Sequence, residues 1–383
     1  MNGHSGQPDS SAVAALMTDG FPTGDDRLLL GLDGYTLSLS SNSAALLEEL
    51  YEYFGAFVID EGVADLEVVA VERPELDVEK SLGVRFADWA REPGKKGRKD
   101  AYVDLSDGRL VRKVRTGMLF LQRDGPVIAA GPCLQHPNQV INFANAQYMN
   151  RLQQEGWLIC HAAASTGDER AIGLAGFSGG GKSTLMLHLM EQPGVSYLTN
   201  DRLFIRRHEG SVQARGIPKL PRVNPGTIIG NPRLHVLMAQ TERDRLAAMP
   251  RDELWELEQK YDVDVDRVYG PGRIAAESPL AAFVVLNWQR GQDGETSLEL
   301  VELGQRRDLL AAIMKSPGPF YHDADSHFHT DDTAFDDDAY LEVLRGVPVF
   351  EVTGGVDFPA ISARVATLLH QSAPPVPENH HDT

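Results

Sequence analysis

Residues 176–184 read GFSGGGKST. Gly176, Gly181, Lys182 and Ser183 meet the spacing G-x-x-x-x-G-K-S/T of a P-loop. Glycine-rich backbone, here Gly179 and Gly180 as well as the two spaced glycines, can turn several N–H groups onto one anion and approach it closely. Lys182 would bring a mobile charge to β- and γ-phosphates, and the Ser183 hydroxyl suits magnesium, a hard cation with oxygen ligands. Ser178 and Thr184 complete the candidate phosphate-binding set. The pattern predicts ATP and Mg2+ as cofactors. A second pattern overlaps it. Gly176-Phe-Ser178-Gly-Gly180 also fits G-x-S-x-G, the nucleophile elbow of α/β-hydrolases. That reading leaves Lys182 unexplained.

An apolar run, VSYLT, ends in Asn200-Asp201 shortly after the loop helix. An acid at such a strand end can hold magnesium or take a proton from an attacking hydroxyl. The L-S-G-G-Q segment of transporter-type ATPases is absent, and so are D-x-x-G and N-K-x-D of GTPases in the expected order. A shikimate-type small-molecule kinase stays open.

With His161 on the strand before the loop, the set His161, Gly176-x-Ser178-Gly-x-Gly181-Lys182-Ser183 and strand-Asn200-Asp201 resembles HPr kinase/phosphorylase. More narrowly it resembles the HPr-kinase-related "kinase B" group. The resemblance is specific over residues 157–205 and faint elsewhere. It implies a kinase domain preceded by a separate N-terminal domain, transfer to a serine of a small carrier protein, and oligomeric assembly. Residue by residue, it implies phosphate binding by Lys182 and magnesium binding by Ser183. His161 would stand beside the transferred phosphoryl group, and the family's acid pair, here Asn200-Asp201, would provide a general base and a metal contact, so that Asp201 does both jobs, a different carboxylate is the base, or efficient transfer is lost. Two departures stand out. Asn200 replaces the first acid of the family pair, and an amide cannot act as a base. The family's E-I-R-G signature is missing, and GIPKLPRVNPGTIIGNPRL stands in its place. That loop offers Lys219, Arg222 and Arg233, with Arg222 the candidate for neutralising charge on the phosphoryl oxygens. A catalytically weak nucleotide-binding regulator is the alternative that Asn200 favours.

The elements that must position these groups can be read from periodicity. AIGLAG reads as a strand running into the loop, and KSTLMLHLMEQ as the helix leaving it, with Leu185, Met186, Leu189 and Met190 inward. WLICHAAAS reads as one short buried strand, with Cys160 in the core. Upstream, hairpins are expected at Asp107-Gly108 and Asp124-Gly125, and a helix over QVINFANAQYMNRLQQEG. The acidic, histidine-containing stretch 321–340 reads as a solvated loop, with divalent-metal binding as its alternative. The fold class is α/β: a P-loop kinase domain of the HPr kinase type over 150–372, preceded by a smaller α+β domain over 26–149. Residues 1–25 and 373–383 are expected to be disordered.

Bulk properties narrow the class. A chain of 383 residues exceeds one core of roughly 100–200 residues, so two domains are expected. The net charge of −19 argues against a nucleic-acid-binding face. No apolar run reaches the ~18 residues of a membrane span. Cys133 and Cys160 are the only cysteines, so no disulfide framework is implied. The expected location is the cytoplasm, and the expected partners are ATP and a protein phosphorylated on serine.

Overall fold

The computed structural model describes residues 8–90, 97–177, 179–250, 253–254, 257, 259–288 and 294–370. The chain is a mixed α/β protein built on two large sheets. It divides into two units, one made of Met1–Gly156 with Pro317–Ala334, the other of Trp157–Ser316 with Phe335–Thr383. Among the described residues no helix is long and apolar enough to cross a membrane.

In the first unit the strands are β1 (Arg27–Gly31), β2 (Thr36–Ser41), β3 (Leu66–Glu72), β4 (Ala87–Asp88), β5 (Asp100–Asp104), β6 (Gly108–Lys113), β7 (Leu119–Arg123) and β8 (Val127–Gly131). Among the described residues they form one sheet in the order β1-β2-β3-β8-β7-β6-β5-β4. Both expected hairpins form, β5 with β6 and β7 with β8, each antiparallel. The longer helices are α1 (Ser10–Thr18), α2 (Ala44–Phe54) and α3 (Pro137–Gln154).

Two expectations change here. Residues 1–25 are not wholly disordered: α1 is capped by Asp9, and its Val13 and Met17 are fully buried against Val71, Leu121 and Ile128. The physical reason is a helical apolar stripe together with a tether. The Asp107 carboxylate accepts from Ser10 N at 2.6 Å and Ser10 Oγ at 2.8 Å. Residues 1–7 and the 373–383 tail lie outside the described residues. The second change concerns 317–334, which belongs to the first unit and not to the second. Arg109, fully buried, pairs with Asp104 and donates to His329 O at 2.7 Å, with its guanidinium over Tyr102 and Phe328. Asn150 Nδ2 adds a bond to Phe320 O at 2.7 Å. A buried guanidinium needs several acceptors, and the returning segment supplies two, His329 O and, at 3.3 Å, Pro319 O.

The second unit holds β9 (Leu158–Cys160), β10 (Ala163–Gly167), β11 (Arg170–Gly176), β12 (Ser196–Thr199), β13 (Leu203–His208), β14 (Ser211–Arg215), β15 (Arg222–Val223), β16 (Tyr261–Asp262), β17 (Glu277–Leu286), β18 (Ser297–Val301) and β19 (Val349–Thr353). Its main sheet runs β12-β10-β11-β17-β14-β13-β9, and β19 pairs with both β17 and β18. β17 pairs parallel with β11 and with β19, so the carboxyl ends of all three point the same way. The two central strands alternate between two cores. Ile172, Leu174, Val284 and Leu286 face a layer containing α4 (Lys182–Leu189) and α5 (Phe358–His370). Ala171, Ala175, Phe283 and Val285 face the layer of Leu309, Leu310, Ile313 and Tyr340. Strands covered on both faces read as unbroken apolar runs, as AIGLAG does. WLICHAAAS is two strands, not one, and the break falls at His161, whose N–H donates to Ile313 O at 2.7 Å.

Candidate functional site

A cavity of about 980 Å3 opens at the carboxyl ends of β11 and β17. That is where open α/β sheets place their ligands. Gly179, Gly180 and Gly181 line it, with Lys182, Ser183 and Thr184 of the first turn of α4. Gly179 at φ 74° and Gly181 at φ 89° occupy left-handed backbone that glycine adopts without strain. Gly181 is also the residue before α4, so the loop delivers its N–H groups to the positive end of a helix. Lys182 Nζ donates to Gly176 O at 2.9 Å, folding the ammonium back across the loop. Thr184 Oγ1 lies 2.8 Å from Thr227 Oγ1, which ties α4 to the segment Pro225–Gly230.

Gly176 is not a lining residue. It ends β11, buried against Leu286, and contributes its carbonyl to Lys182. Ser178 lies outside the described residues, and with it the nucleophile-elbow reading.

Opposite the loop stand His161, Asn200 and Asp201. The break after β9 and the end of β12 bring them together from positions forty residues apart in sequence. His161 Nε2 is 3.3 Å from Asp201 Oδ1, and Arg202 Nη1 pairs with Asp201 Oδ2. Burial opposes ionisation of Asp201, but Arg202, the bond from His161, and the charges of Lys315 and Lys219 outweigh it and hold the carboxyl well below its usual range. For His161 the bond to Asp201 favours the protonated ring, while burial with the charges of Lys182 and Lys315 wins and lowers its pKa. The pair is therefore carboxylate and neutral imidazole at pH 7.

Arg222 lines the cavity too, in an ion pair with Asp262, its Nε 2.9 Å from Oδ1. Asp262 reaches it because β15 pairs with β16. Lys219 lines the same wall, and burial, then the charge of Arg202, pushes its pKa down to about 8. Arg233 does not take part, since it pairs with Glu191 at 2.7 Å.

Several residues at the site escape sequence reasoning. Arg202 adjoins Asp201 and is visible once that strand end is chosen. Lys260, Trp288, Val356 and Phe358 line the cavity from segments with no local motif. Lys315 acts on His161 and Asp201 because Cys160 bridges to Met314. The acidic stretch brings Asp323, Asp325 and His327 ligand atoms within 4.8 Å of one another. Asp323 Oδ1 accepts from Asp325 N and His327 N, both at 2.9 Å, so a local turn accounts for the cluster.

The oxygen set at the cavity suits a hard cation. Ser183 offers a hydroxyl and Asp201 an ionised carboxylate. Asn200 Oδ1 is buried with no hydrogen-bond partner among the described residues, an acceptor that a metal-bound water would satisfy.

No family model matches the chain, and no curated protein matches it. A solved structure that resembles it is that of the Hpr(Ser) kinase/phosphatase from Coxiella burnetii. The likeness covers 55% of this chain and 93% of that one, at 10% sequence identity and a TM-score of 0.26. At that TM-score the likeness carries no inference about chemistry.

Proposed function

We propose that this protein is an ATP- and Mg2+-dependent phosphotransferase that moves the γ-phosphoryl group to a hydroxyl, on a P-loop kinase domain of the HPr kinase type. One observation carries the reading. The glycine loop with Lys182 and Ser183, the carboxylate of Asp201 and the cations Lys219, Arg222 and Lys260 line one cavity, in a chain of net charge −19. Cations gathered in a cleft of an acidic protein select a polyanion, and a polyphosphate fits a loop of inward N–H groups.

The loop N–H groups bind the phosphates, and Lys182 leaves Gly176 O to reach the β- and γ-oxygens. Ser183 and Asp201 would hold the magnesium, and Asn200 Oδ1 offers a further acceptor beside them. Bound magnesium would neutralise phosphate charge. Arg222 and Lys219 balance the charge on the transferred group. Asp201, so strongly held in its ionised form, is a weak proton acceptor. His161 gives Nε2–H to Asp201 and keeps the lone pair of its other nitrogen, which makes it the better base at pH 7. A protein serine is the proposed acceptor, on the strength of the sequence pattern over 157–205. The protein then works in the cytoplasm.

The test is transfer from γ-labelled ATP with magnesium in host-cell extract, comparing wild type with Lys182→Ala. Protein bands labelled by wild type alone support the proposal. Label only in small molecules would make it a metabolite kinase. Bound nucleotide without transfer would favour the second reading, a nucleotide-binding regulator, which Asn200 supports. Asn200→Asp then discriminates, since a weakened kinase gains activity and a regulator does not.

A further inference from the structure

The phosphotransfer reading leaves one wall of the cavity without a task. The sheet order sets β10 and β12 on one side of β11, and β17 and β19 on the other. Asn200 and Asp201 follow β12. Trp288 follows β17, and Val356 and Phe358 follow β19. The loop thus has an acid on one flank and aromatic rings on the other. Phe177, inside the loop, adds a ring that is 45% exposed and lines the cavity.

This wall is built against the loop. Trp288 Nε1 donates to Gly180 O at 2.8 Å, so its N–H is occupied and its ring face is what remains to offer. Phe358 meets Trp288 edge-on, centroids 5.0 Å apart at 89°, and stacks on His188 at 5.8 Å and 4°. Burial lowers the pKa of His188, so the ring behind Phe358 is neutral. Phe358 sits where a side chain at Gly181 would be, since a Cβ there would lie 2.5 Å from its ring. Hydrogen bonding and packing hold these rings in place before any ligand arrives.

We propose that the Phe177, Trp288 and Phe358 wall seats the base of a nucleoside triphosphate, by stacking and apolar contact. The inference rests on the nucleotide reading above. Phosphates account for the loop and the cations, and the part of such a ligand still without a partner is a flat, apolar, aromatic ring. The wall is continuous with the phosphate loop in one cavity of about 980 Å3, space for a nucleotide with room beside it for an acceptor.

Phe177 is the residue to change, because its side chain is exposed and its structural bond is made by the backbone, Gly180 N to Phe177 O at 2.9 Å. ATP and inorganic tripolyphosphate are titrated calorimetrically, with magnesium, into full-length wild type, Phe177→Ala and Phe177→Tyr. Wild type should bind ATP at least about tenfold tighter than tripolyphosphate, the effect of one good base stack. Phe177→Ala should lose most of that margin with tripolyphosphate binding unchanged, and Phe177→Tyr should keep it. Equal affinity of wild type for the two ligands overturns the proposal while leaving a phosphate site standing. Equal weakening of both ligands by Phe177→Ala, or no change in either, overturns it as well. If wild type binds neither ligand, the nucleotide reading fails and takes this inference with it.

Discussion

Gly181→Ala tests whether the aromatic wall and the loop are one packed unit. Gly181 has φ 89°, and a Cβ there would come within 2.5 Å of Phe358 Cζ and 2.8 Å of Cε1. Two costs follow. Left-handed backbone disfavours alanine by roughly 1–2 kcal/mol. Crowding a ring pinned between Trp288 and His188 adds about 1–3 kcal/mol. The expected loss of stability is then about 2–5 kcal/mol. Gly194→Ala isolates the first cost, because Gly194 has φ 76° and nothing within 4 Å of its Cβ position. Urea unfolding of both variants gives the comparison, and a shift in midpoint at constant slope converts to stability. The excess of Gly181→Ala over Gly194→Ala should disappear when Gly181→Ala is made in a Phe358→Ala background. If Gly181→Ala costs no more than Gly194→Ala in wild type, Phe358 does not press on the loop and the packing account is wrong.

Met17→Ala should cost about 2–5 kcal/mol, the range for emptying a core methionine site, whereas a mobile N-terminus would show no change in urea midpoint. Burial pushes the pKa of Lys219 down to about 8 in the folded chain, from an ordinary lysine value of 10.5. Between those values the unfolded chain holds more protons, so stability contributed by this group rises with pH. Lys219→Met should flatten that rise, and parallel midpoint curves for variant and wild type from about pH 7.5 to about 10 would refute the burial account. Cys133, with its pKa pushed up by burial to about 12, and Cys160, also buried, should both resist a thiol reagent in the native protein and react once it is unfolded. Fast native labelling of either would contradict their placement.

How much was legible in the sequence depended on the range of the interaction concerned. The glycine loop, the strand before it and the helix after it were readable because each rests on neighbouring residues: left-handed glycines, an apolar run, and a helical stripe of Leu185, Met186 and Leu189. Asn200-Asp201 was readable as a strand end for the same reason. The N-terminal helix was missed because Ser and Asp around it suggested mobility, while its anchor, Asp107, lies far along the chain. The break at His161 was missed because periodicity cannot see the carbonyl of Ile313 that takes its N–H.

By itself, then, the sequence determined the local chemistry: a glycine loop with P-loop spacing, a lysine and a hydroxyl at fixed offsets, and an amide where a second acid would be expected. The tertiary structure decided what surrounds it. Parallel pairing of β11 with β17, and of β17 with β19, brings Trp288 and Phe358 to one flank of the loop, and the antiparallel partners β10 and β12 bring Asp201 to the other. It also decided protonation, since Asp201 and His161 take their states from Arg202, Lys182, Lys219 and Lys315. Charge interaction and burial depend on distance through space, and separation along the chain does not report that distance until the sheet has formed.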